Sequence, residues 1–522
     1  MKNILFTAIS IFGSLFSAKS QTSSFCLTIG GTGNESAVGI AKTNDNGSII
    51  CGYTSSYGQG LEDCYFVKLD SIGQIEWTKT LGGTNVDKAF SIIQTADGGY
   101  AFTGITQSFG AGGNDVYIGK ITSTGTLSWT KTIGGTGSDY GNSIIETSDG
   151  GLAVAGWYGV TGIDYDAYLV KMDASGNINF SNTYGGIGED VAYSLFQNTD
   201  GSFILSGYTK SYGAGQKDCY VLMISNTGLL SWSKTIGGSL DEEAFSIVQT
   251  NDGGFALAGV TQSYGAGGND CYLVKLNNSG NIVWTKTIGG ANSDYFKSIQ
   301  QKSNSNIVAC GWYGINAGNY DLYTTEFDNL GSFIFGKTVG SSGIETGQSI
   351  LITNDNCLIA AGYSDNIGSG LADMYIVQFD SAYDICPSCN PSNSVGIMNI
   401  GGSVSAGGTS GTAGTTSSGG SLSSGGSLTL ICQDITSTGV NNLGDQDLFS
   451  LWPNPTEGIV YVKVETKNIG EEYSIYDNTG RVVLSGKLNS ENTPIELGKL
   501  TSGIYIFRVG ENMKQTFNVI KE

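Results

Sequence analysis

Histidine is absent from this 522-residue sequence, which excludes every mechanism that uses imidazole as a general base, a triad member or a metal ligand. Proline is scarce, with 5 residues, and only 14% of the residues are charged. The 46 acidic residues outnumber the 25 basic ones, and the formal charge of −21 argues against nucleic acid or an anionic membrane as a partner. Cations, basic proteins and neutral glycans remain compatible with this charge.

Long hydrophobic runs are missing as well. The apolar stretch from Ile4 to Phe16 is too short to span a bilayer, and no later segment is long enough. Lys2 precedes this stretch and Ala18-Lys19-Ser20 follows it, so residues 1–20 are predicted to be a secretory signal peptide. We therefore expect export to the periplasm and no transmembrane segment.

Glycine, by contrast, is abundant, with 80 residues, and it accompanies a regular repeat. Each repeat reads as four short strands joined by tight turns, as in Ala89–Thr95 followed by Tyr100–Thr106. A fixed period of this length with four strands per unit predicts a β-propeller. The aromatic residues that mark the repeat are 51 or 52 residues apart: Phe25, Trp77, Trp129, Phe180, Trp232, Trp284 and Phe335.

The two ends of the repeat array complete each other. The seventh unit runs from Gln378-Phe379-Asp380 into a CPSC motif without a fourth strand, whereas Phe25–Gly31 aligns with the fourth strand Trp284–Gly290. The N-terminal strand would therefore complete the last blade and remove an exposed sheet edge. The sequence predicts an all-β fold in which residues 21–385 form a seven-bladed β-propeller closed by the N-terminal strand.

Composition changes after the repeats. From about Pro391 to Ser427 the chain is almost entirely Gly, Ser, Thr and Ala, which predicts that residues 386–448 form a Cys-flanked flexible linker. Three cysteines flank this segment and are candidates for a bridge, whereas a metal knuckle would need a fourth ligand: Cys386, Cys389 and Cys432. Three others share one strand position in different blades and are predicted to be small buried core residues: Cys64, Cys219 and Cys271.

Residues 449–522 carry a set of short motifs: Leu451-Trp452-Pro453-Asn454-Pro455, Ile475-Tyr476-Asp477, Thr479-Gly480-Arg481 and Leu500–Tyr505. Together they resemble the type A C-terminal sorting domain of the type IX secretion system of Bacteroidota. The resemblance implies a small β-sandwich that engages the type IX secretion machinery, so that the protein is released or attached at the outer-membrane surface. The motif residues that it marks are Pro453, Asn454, Pro455, Gly480, Gly503 and Tyr505.

Two acidic positions recur in all seven repeats. The first-strand acids follow the glycine that ends each repeat: Glu35, Asp87, Asp139, Asp190, Glu242, Asp294 and Glu345. The third-strand acids open a D-x-Y pattern: Asp63, Asp115, Asp166, Asp218, Asp270, Asp321 and Asp373. In a propeller both sets belong to one end of the sheets, which we call the loop face.

These acids have a structural and a functional interpretation. An acid repeated in every blade typically accepts hydrogen bonds from loop amides and holds Gly-rich turns in place. Alternatively, carboxylates and backbone carbonyls provide the oxygen ligands that Ca²⁺ prefers, although no EF-hand spacing is present. The candidate Ca²⁺ ligands are Asp87, Asp115, Asp139, Asp270 and Asp294.

Asymmetry between the blades marks the candidate ligand-binding residues. Trp157-Tyr158 and Trp312-Tyr313 adjoin shortened loops in the third and sixth blades, near Asp166 and Asp321. Aromatic rings beside acids suit a sugar-binding platform, whereas the alternative is packing between blades. We expect a surface binding or adhesion protein for a glycan or a protein, and not an enzyme. The alternatives are a polysaccharide hydrolase or lyase that uses loop-face carboxylates, or a structural surface-layer component.

Overall fold

The computed structural model describes residues 23–161, 164–368, 370–380, 383, 391–392, 397–399, 403–405, 409–412, 415–417, 421–423, 427–435, 449–452, 456, 458–464, 469–477, 481–509 and 515–521. The predicted signal peptide lies outside these residues. The chain divides into two compact units, Met1–Ser437 and Thr438–Glu522. Within the described residues, no helix is long and apolar enough to cross a membrane.

The first unit is built from repeated antiparallel sheets, each with four strands in sequence order. The strand that completes the last sheet is β1 (Ser23–Gly30). The first three blades contain β2 (Glu35–Lys42), β3 (Ser48–Thr54), β4 (Asp63–Leu69), β5 (Ile75–Gly82), β6 (Asp87–Gln94), β7 (Tyr100–Thr106), β8 (Asp115–Ile121), β9 (Leu127–Gly134), β10 (Asp139–Glu146), β11 (Leu152–Thr161), β12 (Asp164–Met172) and β13 (Ile178–Gly185).

The remaining blades continue the same order. They contain β14 (Asp190–Gln197), β15 (Phe203–Thr209), β16 (Asp218–Ile224), β17 (Leu230–Gly237), β18 (Glu242–Gln249), β19 (Phe255–Thr261), β20 (Asp270–Leu276), β21 (Ile282–Gly289), β22 (Tyr295–Gln301), β23 (Ile307–Asn316), β24 (Asn319–Phe327), β25 (Phe333–Val339), β26 (Glu345–Ile352), β27 (Leu358–Ser364) and β28 (Asp373–Phe379). The structure confirms an all-β fold with repeated propeller-like blades and a separate C-terminal β domain.

Local sequence sets the hairpins of each blade. In the second blade the Thr95 amide donates to the Gly99 carbonyl at 2.9 Å, and the Thr95 hydroxyl donates to Asp97 at 2.6 Å. Gly98 has a φ of 83°, which only glycine adopts without strain. We call this end of the sheets, opposite the loop face, the turn face.

The first strands of successive blades are joined by a recurring hydrogen bond. A serine that follows a β-bulge accepts the amide of the next first strand, as in Ser91 with Ile144 at 3.3 Å. An equivalent hydrogen bond links the two ends of the repeat array, since the Ile40 amide donates to Ser349 at 3.4 Å. These contacts make the first strand of each blade its innermost strand.

The repeated aromatic residue of each outer strand docks on the next blade. The Trp77 indole donates to the Ser123 carbonyl at 3.2 Å, and a Cβ added to Gly125 would lie 3.1 Å from the Trp77 ring. Phe25 makes the equivalent contact across the chain ends, because a Cβ on Gly73 would lie 2.6 Å from its ring. The aromatic residues therefore repeat along the sequence because each of them contacts the neighbouring blade.

The N-terminal strand completes the seventh sheet as the alignment predicts. β1 pairs antiparallel with β28, with Phe25 opposite Gln378 and Ile29 opposite Met374. Phe25, Leu27 and Ile29 are buried. This strand therefore belongs to the core of the sheet that ends the repeat array.

The segment expected to be a flexible linker instead adds a fifth strand to each of the seven sheets. Its strands are β29 (Pro391–Ser392), β30 (Ile397–Asn399), β31 (Ser403–Ser405), β32 (Thr409–Thr412), β33 (Thr415–Ser417), β34 (Ser421–Ser423) and β35 (Ser427–Ile435), and we call them the belt. β29 pairs with β25 of the sixth blade, and the following strands pair with β21, β17, β13, β9, β5 and finally β1.

The belt follows a hexapeptide period. Its strands begin six residues apart, and glycine pairs such as Gly401-Gly402 and Gly425-Gly426 lie in the sequence between them. The linker prediction was wrong because a segment can pair with an exposed sheet edge through backbone hydrogen bonds alone. Such pairing does not need the large side chains that this composition lacks. The belt lies against the end of each outer strand near the loop face, as Ser421 opposite Gly82 shows.

The cysteines follow two patterns. Among the described residues six cysteines are free and buried, including the predicted core residues Cys64, Cys219 and Cys271. Cys26 in β1 is disulfide-bonded. It lies opposite Cys432 of the belt in the strand register. Cys386 and Cys389, the other proposed bridge residues, lie outside the described residues.

The second unit contains two sheets that share one core. The strands are β36 (Phe449–Trp452), β37 (Ile459–Val464), β38 (Glu472–Tyr476), β39 (Val482–Lys487), β40 (Asn492–Glu496), β41 (Gly503–Val509) and β42 (Gln515–Lys521). One sheet has the order β36-β37-β40 and the other β39-β38-β41-β42. Val460 and Ile495 of the first pack with Ile475 and Phe507 of the second, as expected of a sandwich.

Candidate functional site

Every first-strand acid is fully buried and bound to its own loop. The amide four residues earlier donates to the carboxylate at 2.7 or 2.8 Å in all seven blades, as Gly83 does to Asp87. A second donor comes from the strand 2–3 loop, for example the Ser108 hydroxyl to Asp87 at 2.6 Å. These contacts favour the structural interpretation of this acidic set.

The third-strand acids hold the longer loops in a similar way. The Ala214 and Gly215 amides each donate to Asp218 at 3.0 Å, and equivalent bonds reach Asp63 and Asp270. Both acidic sets converge on the glycine that ends each repeat. A Cβ on Gly82 would lie 1.9 Å from Asp63 and 2.8 Å from Asp87, so this glycine permits the two carboxyl groups to approach.

The convergence creates buried carboxyl pairs. Burial first, and then the charge of Asp87, raises the pKa of Asp63. Burial likewise raises the pKa values of Asp115 and Asp139, and proximity of the two acids adds to the shift at Asp115. The pKa of Asp115 reaches about 6, which favours partial protonation of this carboxyl at mildly acidic pH.

The proposed Ca²⁺ site does not fit this geometry. The candidate residues fall into separate pairs, Asp115 with Asp139 and Asp270 with Asp294, while Asp87 pairs with Asp63. In the part of the chain that the structure describes, no group of three or more acidic or cysteine side chains is placed to hold a metal ion. Ca²⁺ usually takes six to eight oxygen ligands. In each candidate residue at least one carboxylate oxygen already accepts a backbone amide.

Asp166 and Asp321 lie in the two blades with the shortened loops. Their Oδ1 atoms, like that of Asp270, lack a hydrogen-bond partner among the described residues. Burial, and then the neighbouring Asp190, raises the pKa of Asp166 to about 6. Burial and Glu345 raise the pKa of Asp321 to about 6 in the same way.

Tyr158 and Tyr313 occupy a repeated structural position. In three other blades a loop tyrosine donates to the carbonyl of the glycine that ends the repeat, as Tyr57 does to Gly30 at 2.9 Å. Tyr158 packs 5.5 Å from Tyr168, and Tyr313 packs 5.4 Å from Tyr323. The structure thus places these two candidates within the blade packing, separate from the tryptophans beside them in sequence.

Trp157 and Trp312 form matching aromatic stacks. Trp157 lies opposite Tyr140 in the strand register, with ring centroids 4.2 Å apart and an interplanar angle of 16°. Trp312 stacks on Tyr295 at 4.7 Å and 25°. Both tryptophans are half-buried, and their stacks lie within one blade rather than between blades. Each stack leaves a partly exposed aromatic surface on the inner strands.

Charged residues lie between the two stacks. Lys217 contacts Glu243 at 2.6 Å, and the Tyr193 hydroxyl donates to Glu243 at 3.0 Å. Lys297 lies over the Phe245 ring at 3.3 Å and over Trp312 at 5.3 Å. Burial lowers the pKa of Lys297 to about 8. The inner-strand cluster comprises Tyr140, Trp157, Tyr193, Lys217, Glu243, Phe245, Tyr295, Lys297 and Trp312.

Sequence analysis missed most of this cluster, although a signal was present. The second residue of the first strand changes from blade to blade while its neighbours repeat: Ser36, Lys88, Tyr140, Val191, Glu243, Tyr295 and Thr346. In a repeat protein, a position whose residue type varies while its neighbours stay the same does not take part in the packing that all repeats share. Such a position is available for ligand contacts.

Comparison with known proteins identifies the C-terminal domain. Residues 450–521 match the family described as the secretion system C-terminal sorting domain. These residues are a type IX secretion sorting domain. The protein is therefore secreted or attached to the outer-membrane surface, and the sorting domain implies interaction with the type IX machinery. Tyr505 is buried and donates to the Thr501 carbonyl at 2.8 Å, whereas Pro453, Asn454, Pro455 and Gly480 lie outside the described residues.

Other similarities are more distant. The regulatory protein FlaEY of Caulobacter vibrioides is 24% identical over 295 residues, which cover 53% of this chain and 29% of that relative. The chain thus spans less than a third of the length of the curated relative that it matches. Sqt1 from Chaetomium thermophilum is 14% identical with a TM-score of 0.41, covering 72% of this chain and 90% of that chain. PorZ, a surface component of the Porphyromonas gingivalis type IX system, is 10% identical with a TM-score of 0.27, covering 93% and 81%.

Proposed function

We propose that this protein is an extracellular binding or adhesion protein, without catalytic turnover. Its repeats would form a closed seven-bladed propeller whose loop face binds a glycan or a protein. Closure is supported by the Ile40 to Ser349 hydrogen bond and by the docking of Phe25 on Gly73. A closed ring would bring the inner strands of all blades around one centre.

The inner-strand cluster carries this proposal. It combines two half-buried aromatic stacks with the Lys217–Glu243 ion pair and Lys297. Aromatic faces contact the apolar faces of sugar rings or of peptide side chains, while the charged groups supply directed hydrogen bonds. The cluster is confined to the third to sixth blades, whereas the acids bound to loops occur in every blade.

The repeated acids do not favour hydrolysis. A glycosidase needs two carboxyl groups on either side of an accessible scissile bond. Here the converging acids are buried, apart from the half-buried Asp166. Most of them bind amides of their own loop, as Asp87 does with Gly83. This burial supports binding over turnover as the function of the loop face.

The experiment is a glycan-array and surface-binding screen of the full mature chain, with Trp157→Ala and Trp312→Ala variants. Each substitution should weaken binding about tenfold, because it removes one aromatic contact with the ligand. Trp77→Phe on an outer strand is the control and should bind normally. Normal binding by both alanine variants would reject the cluster as the site. Release of reducing sugars from a bound polysaccharide would show catalytic turnover and contradict the proposal.

A further inference from the structure

A cavity of about 530 Å³ opens on the turn face between the fourth and fifth blades. Asn198, Asp200 and Met223 of the fourth blade line it together with Trp232, and Gln249 contributes from the fifth blade. The cavity and the inner-strand cluster lie at opposite ends of the strands, the cavity on the turn face and the cluster on the loop face. Its volume is within the usual range for small-molecule sites.

The cavity coincides with a break in the repeat. Five residues after the third-strand acid, four blades carry a lysine that pairs with an aspartate of the adjacent hairpin turn at 2.5–3.0 Å: Lys68, Lys120, Lys171 and Lys275. In the sixth blade Glu326 occupies the position and pairs with Lys302 at 2.9 Å. Met223 is the apolar residue at this position, so the fourth blade has no such ion pair there.

Two neighbouring positions depart from the repeat in the same blade. A Cβ on Gly254 would lie 2.3 Å from the Leu276 carbonyl oxygen and 2.6 Å from the Lys275 ammonium, so a side chain at this position would crowd the lysine. The fourth blade has Ser202 there, and Asn198 where the fifth has Thr250. The Asn198 amide donates to Ser202 at 2.9 Å and contacts the Met223 sulfur at 3.4 Å. The three changes form one coupled set around the cavity.

The coupled set changes the chemistry of the turn. Asp200 lacks the lysine that four of its counterparts bind. Among the described residues it accepts the Ser202 amide at 2.9 Å and the Ser202 hydroxyl at 2.5 Å. The residues that line the cavity include no lysine or arginine. A bound anion would therefore lack a counter-charge, whereas a neutral polyol would find both donors and acceptors.

We infer that this cavity is a second binding site, for a neutral saccharide. The Gln249 amide donates to the Asn198 Oδ1 atom at 3.2 Å, which fixes the two amides side by side. The Asp200 carboxylate and the remaining donor and acceptor capacity of these amides suit adjacent sugar hydroxyls. The half-buried Trp232 ring supplies an apolar surface for the face of a sugar ring. The site is independent of the proposed loop-face function, since no residue is shared.

The test restores the repeat in the fourth blade. The triple variant Asn198→Thr, Ser202→Gly, Met223→Lys copies the residues of the fifth blade and should fill the cavity with a lysine paired to Asp200. Because four blades already tolerate this arrangement, the variant should fold with an unchanged or higher melting temperature. Cellobiose, maltose, mannobiose and di-N-acetylchitobiose are the probes, titrated into the full mature chain by calorimetry and saturation-transfer NMR.

We expect at least one probe to bind the natural chain at millimolar concentration and the restored variant to bind it about tenfold more weakly. Trp157→Ala serves as the matched control and should leave this binding unchanged, which separates this site from the loop face. Binding that survives restoration of the repeat, or the failure of every probe to bind the natural chain, would overturn the inference.

Discussion

Cys26 lies directly opposite Cys432 where β1 pairs with β35. Cys26 is disulfide-bonded, and we expect Cys432 to be its partner. Such a bridge would join the strand that completes the last blade to the end of the belt. Non-reducing peptide mapping of the secreted protein should recover these two cysteines in one linked peptide. Linkage of Cys26 to Cys386 or Cys389 would contradict this pairing, and Cys432→Ser should lower the free energy of unfolding by about 2–4 kcal/mol.

The belt should resist proteolysis. Residues 391–435 lack lysine and arginine, so a broad-specificity protease such as subtilisin is the suitable probe. Backbone pairing to the outer strands should protect this segment, because a protease requires an extended, unpaired substrate. Mass spectrometry of the fragments should show no early cleavage within 391–435. Rapid cleavage at the glycine pairs would support the flexible-linker interpretation instead.

Removal of the N-terminal strand should destabilise the whole repeat unit. Deleting residues 21–29 exposes the edges of β28 and β35 and removes the buried Phe25 and Leu27. We expect a strongly reduced melting temperature and the appearance of oligomers by size-exclusion chromatography, since open edges pair with other chains. Phe25→Ala alone should lower the free energy of unfolding by about 3–5 kcal/mol. A monomeric deletion variant of normal stability would argue against closure by this strand.

Stability should rise when the pH is lowered from neutral to mildly acidic. The folded pKa values of Asp166 and Asp321 are about 6. The unfolded value is about 4, so their contribution is fully present below pH of about 4 and is lost as the pH rises through about 6. Differential scanning calorimetry should give a higher melting temperature near pH 5 than near pH 7.5.

Two substitutions distinguish this origin of the pH dependence. Asp166→Asn should raise the melting temperature at neutral pH and flatten its pH dependence. Asp149→Asn is the matched control with the opposite sign, because Thr147 and Lys171 lower the pKa of Asp149 to about 2. That carboxylate contributes stability above pH of about 4, which is lost as the pH falls toward 2. A melting temperature that increases steadily from pH 5 to 7.5 would contradict the account of Asp166.

Export should depend on the C-terminal domain. Without residues 449–522 the protein should accumulate in the periplasm, and the same residues fused to a passenger should carry it to the surface in a strain with the type IX system. Cell fractionation and surface proteolysis provide the measurement. A strain that lacks the secretion machinery is the control. Surface display of the truncated protein would show that another segment directs export.

The sequence by itself determined the repeat architecture because each blade restates the same local rules. Positive-φ glycines fix the turns, alternation fixes the strands, and one aromatic residue per repeat fixes the docking onto the next blade. The alignment of Phe25–Gly31 with the other outer strands was enough to place β1 beside β28. The sorting motifs were readable for the same reason, since they are local.

Only the tertiary structure decided what depends on contacts between distant segments. The belt pairs through backbone hydrogen bonds with the outer strands of the sheets, and its composition does not predict this pairing. Its hexapeptide period matches one short strand to each of the seven outer strands. The acidic sets became buried pairs because two strands of adjacent blades meet over one glycine. The turn-face cavity exists because Asn198, Ser202 and Met223, separated in sequence, come together where four other blades place a lysine.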